Sequence, residues 1–451
     1  MGTALIILAA GKGTRMKSDK AKVLHQIAGA PMLVHAMRAG QVLEPDASVV
    51  VVGHDGDAVA RAAQAYDEDV QIARQTEQLG TAHAVAQAAP ALAEHDGDAI
   101  VLYGDTPFIS EATLLRMAEA RKSHDVVVLG FDAADPGRYG RLVMQGDTLE
   151  KIVEFKDADD ATRAITLCNS GVIAAQSKEL FALIDAVGND NASGEFYLTD
   201  IVEIARSRGL SATAIACDEA ETMGINSRAE LATAEAAFQE RARAQALEEG
   251  ITMPAPETVH FAYDTVIGRD AVIEQNVVFG AGVTVESGAH IRAFSHLEGC
   301  HVSRGSTVGP YARLRPGTEL AEDTRIGNFV EIKNAIIDEG AKVNHLSYIG
   351  DAHLGEATNV GAGTITCNYD GVMKHHTDVG KHAFIGSNTM LIAPVNVGDN
   401  AMTASGSVIN KDVPEGAMAV ARASQVNKPG FAVKLFEILR NKKLKRDKGA
   451  E

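Results

Sequence analysis

The first half of the chain alternates short apolar runs with longer stretches rich in Ala and Leu. The apolar runs lie at residues 3–8, 48–52, 99–102 and 126–129, and the helical stretches include residues 59–65 and 82–92. A short run that is apolar throughout is typical of a strand buried on both faces of a parallel sheet. Strands alternating with helices predict an α/β domain with a mostly parallel, Rossmann-like sheet, which we place at residues 1–227.

The pattern changes near residue 227. Ser227 and Glu230 have the spacing of a capping box, in which the side chain of each bonds the backbone of the other at the start of a helix. Residues 229–249 are rich in Ala, Glu, Gln and Arg, and Gly250 follows as a natural stop. We predict a linker helix at residues 228–250, about 30 Å long, between two domains.

From residue 266 onward, aliphatic residues recur at every sixth position. The first series is Ile267, Ile273, Phe279, Val285, Ile291 and Leu297, and a small or β-branched residue stands four positions after each of the first five. The phase shifts once, and a second series runs from Val302 to Ile332. A period of six fits three short strands per coil of a parallel β-helix. We place this domain at residues 251–430 and predict a short apolar helix and a basic tail at residues 431–451.

Composition narrows the choice of partner and compartment. With 42 Lys and Arg against 60 Asp and Glu, the net charge of −18 argues against nucleic acid or an anionic membrane as the main partner. The four cysteines have no close spacing, so we expect reduced thiols and no metal pair or disulfide framework. The apolar run at residues 3–8 is too short for a bilayer and follows no basic segment, so we expect a cytoplasmic protein.

A glycine-rich segment, Leu8-Ala-Ala-Gly-Lys-Gly-Thr-Arg-Met16, follows the first predicted strand and should precede a helix. Gly11 and Gly13 would let the backbone turn tightly and present N–H groups to phosphate oxygens. Arg15 and Lys22 would add positive charge there. The segment is neither a Walker loop nor a dinucleotide fingerprint. It closely resembles the signature of the sugar-1-phosphate nucleotidyltransferases.

This resemblance implies transfer of a uridylyl group from UTP to the phosphate of N-acetylglucosamine-1-phosphate, with Arg15 and Lys22 as catalytic cations. It implies Mg²⁺ as cofactor, with Asp105 and Asn226 as its ligands. The residues expected around UTP and the product UDP-N-acetylglucosamine are Leu8, Ala9, Ala10, Gly11, Gly13, Thr14, Lys22, Gln75, Gly80, Thr81, Tyr103, Gly104, Asp105, Gly140, Glu154, Asn169 and Asn226. In-line displacement at phosphorus needs no protein nucleophile.

Bulky polar residues gather in the second domain where the six-residue pattern is interrupted, at residues 343–348 and 359–374. Such side chains in a narrow coil must point outward, where they can form a groove. His345 is the candidate general base, because an imidazole titrates near neutral pH and can take a proton from a sugar ammonium. The backbone N–H of Ala362 would stabilise the oxyanion formed when the amine attacks a thioester.

The six-residue pattern resembles hexapeptide acyltransferases, whose β-helix is left-handed and usually trimeric. Both halves of the chain together resemble the bacterial bifunctional N-acetylglucosamine-1-phosphate uridyltransferase/glucosamine-1-phosphate acetyltransferase family. The resemblance implies an acetyl-CoA-dependent second reaction, a homotrimer, and a product that feeds bacterial cell-wall, peptidoglycan and lipopolysaccharide synthesis. It assigns glucosamine-1-phosphate to Arg315, Lys333, Tyr348, Asn359 and Lys374, and acetyl-CoA to Ala362, Asn368, Tyr369, Ser387, Ser405 and Arg422.

Two alternatives stay open from the sequence. In the first, the chain is a nucleotidyltransferase whose β-helix only assembles subunits. In the second, it is an inactive binding or regulatory protein that keeps both folds. The polar strings around His345 speak against the first alternative, and the presence of Lys22, Asp105, Asn226 and His345 speaks against the second.

Overall fold

The computed structural model describes residues 2–448 and separates into two compact units. The first unit contains the chain up to Ala246 together with His260–Thr265, and the second contains the remainder. The last three positions of the predicted basic tail, residues 449–451, lie outside the described residues.

The first unit is built around a nine-stranded sheet with the path β11-β7-β10-β6-β1-β4-β5 and a β8–β9 hairpin beside β10. Its strands, with a small separate β2–β3 hairpin, are β1 (Thr3–Ala9), β2 (Gln26–Ile27), β3 (Ala30–Pro31), β4 (Ala47–Val52), β5 (Gln71–Arg74), β6 (Asp98–Tyr103), β7 (Val126–Asp132), β8 (Arg141–Gln145), β9 (Thr148–Val153), β10 (Leu167–Gln176) and β11 (Ala212–Cys217). The pairs along the path are parallel except where β10 runs antiparallel to β6 and β7. The predicted mostly parallel sheet is confirmed, and its central strand β1 is buried on both faces.

The helices are α1 (Met32–Gly40), α2 (Gly56–Tyr66), α3 (Thr81–Ala86), α4 (Glu111–Arg121), α5 (Asp160–Arg163), α6 (Ser177–Ile184), α7 (Ile201–Ser207), α8 (Arg228–Glu248) and α9 (Phe431–Lys448). The predicted helical stretch 82–92 is divided between α3 and a 3-10 turn at Ala89–Leu92 that contains Pro90. Proline has no N–H to continue the α-helical bonding, so the division follows from the sequence.

The expectation of a helix directly after the glycine-rich segment is wrong. A single 3-10 turn, Thr14–Met16, follows instead, and the first α-helix begins only at Met32. Gly13 and Lys17, at the two ends of this turn, both have left-handed backbone conformations with φ of 59° and 47°. Left-handed residues interrupt right-handed helical bonding, which confines the segment to one turn.

Helix α8 begins with the predicted capping box. Ser227 Oγ accepts from the N–H of Glu230 at 3.2 Å, and Glu230 Oε2 accepts from the N–H of Ser227 at 3.1 Å. Ala234 of this helix is buried in a cluster with Met32 and Ile225, and the helix groups with the first unit as far as Ala246. The helix therefore packs on the first unit through most of its length, and its role as the boundary between two functions remains a proposal.

The second unit is a left-handed parallel β-helix with three faces. Its first face contains Val266–Ile267, Thr284–Val285, Cys300–Val302, Thr318–Leu320, Thr377–Val379 and Val395–Val397. Its second face contains Val272–Ile273, His290–Ile291, Thr307–Val308, Arg325–Asn328, Lys342–His345, Asn359–Val360, Phe384–Ile385, Met402–Thr403 and Met418–Ala419. Its third face contains Val278–Phe279, His296–Leu297, Arg313–Leu314, Ile365–Cys367, Met390–Ile392 and Val408–Ile409. The long strands Glu331–Ile337 and Tyr348–Leu354 start on the third face and pass through the corner onto the first.

The six-residue repeat is confirmed as the core of this β-helix. Ile273, Phe279, Val285 and Ile291 are all buried, while Ile267 in the first coil is only half-buried. The small and β-branched residues four positions later, Ala271, Val277, Val283, Ala289 and Ser295, are buried as well. A narrow triangular coil has room for one large side chain and one small side chain on each face, which explains the repeat.

The C-terminal segment differs from its prediction. The apolar stretch and the basic residues that follow it form one helix, α9, instead of a short helix and a tail. Lys and Arg are good helix formers, so the basic residues continue the helix. Among the helices described in residues 2–448, none has the length and apolar character needed to cross a bilayer.

Candidate active sites

A cavity of about 330 Å³ lies in the first unit at the carboxyl ends of β1 and β6. Ten of the predicted nucleotide-site residues line it: Leu8, Ala9, Ala10, Gly11, Lys22, Gln75, Gly80, Thr81, Tyr103 and Asp105. The N–H of Gly104 donates to the carbonyl of Leu8 at 2.9 Å and joins the two strand ends. Open α/β sheets bind ligands at this edge. Val23, Gln78, Ala84 and Glu195 also line the cavity and were not predicted from the sequence.

One cationic side chain and two oxygen donors meet at the rim of this cavity. Lys22 Nζ forms a very short ion pair with Asp105 and donates to Asn226 Oδ1 at 2.9 Å. The N–H of Ile225 donates to the backbone carbonyl of Asp105 at 3.0 Å, which brings Asn226 beside that carboxylate. Glu230 of the capping box accepts from the N–H of Asn226 at 2.5 Å and fixes its position.

The donor set of this cluster fits a hard divalent cation. A carboxylate oxygen of Asp105 and the amide oxygen of Asn226 converge on one point, where the Lys22 ammonium now serves as the positive charge. Mg²⁺ prefers oxygen ligands and takes the remainder of its ligands from water and substrate phosphates.

The glycine-rich turn packs directly against Lys22. A side chain at Gly13 would place its Cβ 2.5 Å from Cβ of Lys22, and φ at this position is positive. Glycine is therefore required for the turn to approach the lysine so closely. Thr14 and Arg15 follow in the 3-10 turn and are exposed to solvent.

A second wall of the cavity contains three of the predicted nucleotide-site residues, Gln75, Gly80 and Thr81. Gln75 is buried, and its Nε2 donates to the carbonyl of Gly80 at 3.2 Å and lies 3.0 Å from Nδ1 of His83. These contacts fix the orientation of the Gln75 amide. Thr81 Oγ1 accepts from the N–H of Leu198 at 2.9 Å. Gln78, which sequence reasoning missed, donates to the carbonyl of Ala10 at 2.7 Å and ties this wall to the glycine-rich segment.

Three further residues of the predicted nucleotide-sugar site, Gly140, Glu154 and Asn169, lie close together. The N–H of Asn169 donates to the carbonyl of Gly140 at 2.9 Å, and a Cβ at Gly140 would lie 3.4 Å from Glu154 Oε1. Burial raises the pKa of Glu154, although its Oε1 accepts from the Thr199 hydroxyl at 3.2 Å. Burial and the nearby carboxylates of Asp105 and Glu154 raise the pKa of Tyr103, so this residue lies between the two clusters.

In the second unit, the predicted sugar-phosphate residues except Asn359 gather at the end of the third face. Arg315 is paired with Glu331 at 2.9 Å, and Lys333 Nζ lies 3.8 Å from Asp351. Lys374 lies against Lys333 and close to Tyr348, and the Lys333 ammonium lowers the pKa of Lys374. Two ammonium groups side by side are suited to a phosphate.

His345 and four of the residues predicted to bind acetyl-CoA form a line along a different corner of the coil. Strand register places Val343 beside Val360, Val360 beside Ile385, and Ile385 beside Thr403. The residues two positions after each of these four are His345, Ala362, Ser387 and Ser405. Arg422 continues the line by donating to the carbonyl of Ser405 at 2.7 Å. Coils stack about 4.8 Å apart, so the line from His345 to Ser405 is about 14 Å long.

The structure adds a partner for His345 that sequence reasoning missed. Oδ1 of Asn328, on the preceding coil, lies 2.8 Å from Nδ1 of His345. An amide oxygen can only accept a hydrogen bond, so Nδ1 of His345 is the donor and carries the hydrogen, and Nε2 keeps its lone pair. The register of the second face pairs Asn328 with His345 directly. The signal in the sequence is their separation of 17 positions, which is one coil of the β-helix.

The remaining predicted residues divide between the two corners. Asn359 lies on the second face, between Lys342 and Phe384 in the strand register. Asn368 is buried and donates to Asp351, so it belongs with the lysines instead of the His345 corner. Tyr369 follows Asn368 and is largely exposed.

Comparisons with known proteins agree with both units. Residues 5–178 match the family model of the MobA-like NTP transferase domain. The bifunctional protein GlmU of Ruegeria sp. (strain TM1040) is 68% identical over 449 residues, which is 100% of each chain. The chain belongs to the GlmU family. The bifunctional protein GlmU of Cereibacter sphaeroides (strain ATCC 17025) is 67% identical over 97% of this chain and 96% of its own, and that of Paracoccus denitrificans is 63% identical over 98% of both.

Membership of the GlmU family confirms the prediction of a bifunctional enzyme of UDP-N-acetylglucosamine synthesis, with uridyltransferase and acetyltransferase activities. The matches also imply small nucleotide-sugar substrates and a divalent metal. Among solved structures, a UDP-glucose pyrophosphorylase complexed with UDP-glucose aligns with 53% of this chain and 100% of its own, at 15% identity and a TM-score of 0.43.

Proposed function

We propose that the second unit transfers acetyl from acetyl-CoA to glucosamine-1-phosphate, and that the first unit joins the N-acetylated product to UTP with release of pyrophosphate. The observation that carries this proposal is the presence of two separate clusters in one chain. Lys22, Asp105 and Asn226 meet at the cavity of the first unit, and His345 is oriented by Asn328 on the β-helix. One cluster provides charge for phosphates, and the other provides a base for an amine.

In the uridylyl transfer, the side chains bind and orient the two substrates. The backbone N–H groups near Gly11 and the Lys22 ammonium bind the UTP phosphates, and Gln75 reads the uracil edge with the amide oxygen that its bonds to Gly80 and His83 leave unused. Arg15, exposed beside the loop, adds charge where the pyrophosphate leaves. Mg²⁺, held by Asp105 and Asn226, supplies charge neutralisation at the phosphates when it is bound.

The cluster of Gly140, Glu154 and Asn169 holds the N-acetyl sugar. The half-buried Glu154 accepts from a sugar hydroxyl, and the hydrogen bond between Asn169 and Gly140 keeps the loop in position. With both substrates oriented, the sugar phosphate oxygen attacks the α-phosphorus and the pyrophosphate leaves on the opposite side.

In the acetyl transfer, His345 acts as the general base. Its Nε2 takes a proton from the sugar ammonium, because Asn328 holds the other ring nitrogen as the hydrogen-bearing one. The free amine attacks the thioester carbonyl, and the N–H of Ala362 stabilises the oxyanion. Collapse of this intermediate breaks the C–S bond and forms the amide. The nitrogen loses two protons in all: His345 passes the one it took to the leaving thiolate, and the other leaves to solvent.

The linear arrangement of Ala362, Ser387, Ser405 and Arg422 suits the extended pantetheine arm and the phosphates of acetyl-CoA. The cluster of Arg315, Lys333, Tyr348 and Lys374 suits the phosphate of glucosamine-1-phosphate. In a single chain, these two groups lie at different corners of the coil, and Asn359 lies on the second face, whose strands end at the His345 corner.

This separation supports a homotrimer in which the His345 corner of one copy meets the lysine cluster of another. It is consistent with the exposed apolar ladder next to His345, where Phe294 stacks on Tyr311 at 4.9 Å and Tyr311 on Phe329 at 5.2 Å. We place the enzyme in the cytoplasm, where its four free cysteines would stay reduced.

An omission series with the wild-type enzyme tests this function. The full mixture contains glucosamine-1-phosphate, acetyl-CoA, UTP and Mg²⁺, and free thiol and pyrophosphate are measured together. We expect thiol release to need only the first two substrates, and pyrophosphate release to need all four components. Replacing the first two by N-acetylglucosamine-1-phosphate should restore pyrophosphate release without thiol. Pyrophosphate release from unacetylated glucosamine-1-phosphate at the same rate would contradict the proposed order.

A further inference from the structure

Asp351 is a buried carboxylate at the corner between the third and first faces of the β-helix. It is 7% exposed and has a left-handed backbone with φ of 48°. Oδ1 accepts from Nδ2 of Asn334, one coil earlier, at 2.7 Å, and Oδ2 accepts from Nδ2 of Asn368, one coil later. The carboxylate therefore joins three consecutive coils through two amides.

The same carboxylate lies between the two lysines of the sugar-phosphate cluster. Lys333, next to Asn334 in the chain, places its Nζ 3.8 Å from Asp351. On the other side, the carbonyl of Asn368 accepts from the N–H of His375 at 2.8 Å, and Tyr369 pairs with Lys374 across the hairpin. Asp351 thus supports Lys333 directly and Lys374 through the base of this hairpin.

The charges in this corner balance around Asp351. Burial disfavours its charged form, but the two amide donors and the charges of Lys333 and Lys374 outweigh burial and lower the pKa of Asp351. Lys374 is subject to opposing effects, since Lys333 lowers its pKa and Asp351 and Tyr348 raise it. The other nearby carboxylates have partners of their own, since Glu331 pairs with Arg315 and Asp370 contacts His375. Asp351 is the carboxylate that faces both ammonium groups.

We propose that Asp351 is a positioning residue for the acetyltransferase reaction, which holds Lys333 and Lys374 together as a protonated pair for the sugar phosphate. This inference rests on the proposed role of the two lysines. Without a central negative charge, two adjacent ammonium groups repel each other, and one of them loses its proton more readily. A phosphate would then meet one positive charge instead of two.

The test is the pH dependence of KM for glucosamine-1-phosphate in the full-length enzyme, followed by thiol release, in wild type and Asp351→Asn. Asparagine has the size of aspartate, but it carries no negative charge and has only one oxygen to accept from the amides of Asn334 and Asn368. We expect KM to rise about tenfold at neutral pH, which corresponds to about 1.4 kcal/mol. We also expect the rise of KM with increasing pH to begin at lower pH in the variant, because Lys374 deprotonates earlier.

Asp338→Asn is the matched control. Asp338 also links neighbouring coils, but it accepts from His353 at 2.9 Å and contacts no lysine of the cluster. Its KM profile should match that of wild type. The same profile in Asp351→Asn would overturn the inference while leaving the proposed function intact, whereas absence of thiol release from wild type would overturn the proposed function and the inference with it.

A second variant keeps the inference testable if Asp351→Asn does not fold, as judged by its melting curve. Asn334→Ala removes the amide that donates to Oδ1 of Asp351 at 2.7 Å. Asn334 is exposed, and its substitution leaves the negative charge of Asp351 in place. It should raise KM for glucosamine-1-phosphate without moving the pH at which KM rises. An unchanged KM in this variant would contradict the positioning role.

Discussion

Nζ of Lys22 lies 2.9 Å from Oδ1 of Asn226, although the two residues are 204 positions apart in the chain. The contact joins the segment after the glycine-rich turn, which lines the nucleotide cavity, to the segment that precedes α8. Asp105, at the end of β6, pairs with the same ammonium, so three distant parts of the sequence share one charged centre. The proposed uridyltransferase site therefore depends on the correct packing of α8 against the sheet domain.

Replacement of Lys22 by Ala tests this charged centre. We expect pyrophosphate release to fall about 10²- to 10³-fold, because a preorganised cation at the reacting phosphates is lost. Thiol release by the second unit should stay within twofold of wild type. Lys20→Ala is the control, since Lys20 is exposed and lies only two positions away. Equal losses in both variants would mean that general positive charge near the loop, and not the position of Lys22, is responsible.

Asn328 offers a test of the tautomer of His345. Asn328→Ala removes the oxygen that accepts from Nδ1, so the imidazole can turn and can carry its hydrogen on the reacting nitrogen. We expect kcat of acetyl transfer to fall about tenfold or more, with KM for glucosamine-1-phosphate little changed. Asn328→Asp keeps an acceptor and should retain most of the activity. Loss of activity in Asp and Ala variants alike would argue against the orienting role.

Glu154 predicts a dependence of stability on pH. Burial raises its pKa in the folded protein, so the folded state binds this proton more tightly than the unfolded state. Its contribution to stability is therefore full below the ordinary pKa of glutamate and declines as pH rises through the folded value. Glu154→Gln should melt at the same temperature as wild type near pH 4 and at a higher temperature at pH 8.

The same variant should bind N-acetylglucosamine-1-phosphate less well, with KM raised about tenfold, because a charged hydrogen-bond acceptor is lost. For the stability prediction, a lower melting temperature of Glu154→Gln than of wild type at pH 8 would show that a partner stabilises the charged carboxylate, in contradiction to the destabilising effect of burial.

The strand Glu331–Ile337 contains its own stability control. Ile332 is fully buried in the coil, whereas Ile336 is 52% exposed. Ile332→Ala should lower the free energy of unfolding by about 2–5 kcal/mol, and Ile336→Ala by less than about 1 kcal/mol. Denaturant unfolding of the full chain, followed by loss of thiol release, measures both. Similar costs at the two positions would contradict the assignment of the six-residue repeat to the core.

The β-helix could be predicted from the sequence because its pattern repeats. Ile273, Val285 and the equivalent residues each place one large side chain on a face of the coil. Because this requirement recurs at every sixth position, the pattern is visible even though each single position is weak evidence. The buried strands of the first unit were also readable, because Thr3–Ala9 is apolar throughout. The missing helix after Gly13 was not, since it depends on two left-handed residues that no periodicity reveals.

The residues of the candidate sites could be predicted from the sequence, but their contacts with one another could not. Lys22, Asp105 and Asn226 were chosen from family motifs, and only the fold shows that one ammonium joins them. Asn328 and Asp351 have no motif of their own, because their importance comes from a neighbour one coil away. Contacts between coils become visible only once the strand register is known.

The most direct test of the central claim, two independent active sites in one chain, compares wild type with Asp105→Ala and His345→Ala in one assay. Thiol release is followed with glucosamine-1-phosphate and acetyl-CoA, and pyrophosphate release with N-acetylglucosamine-1-phosphate, UTP and Mg²⁺. We predict that Asp105→Ala loses only pyrophosphate release and that His345→Ala loses only thiol release. Loss of both activities in either variant, or thiol release that survives without His345, would contradict the account.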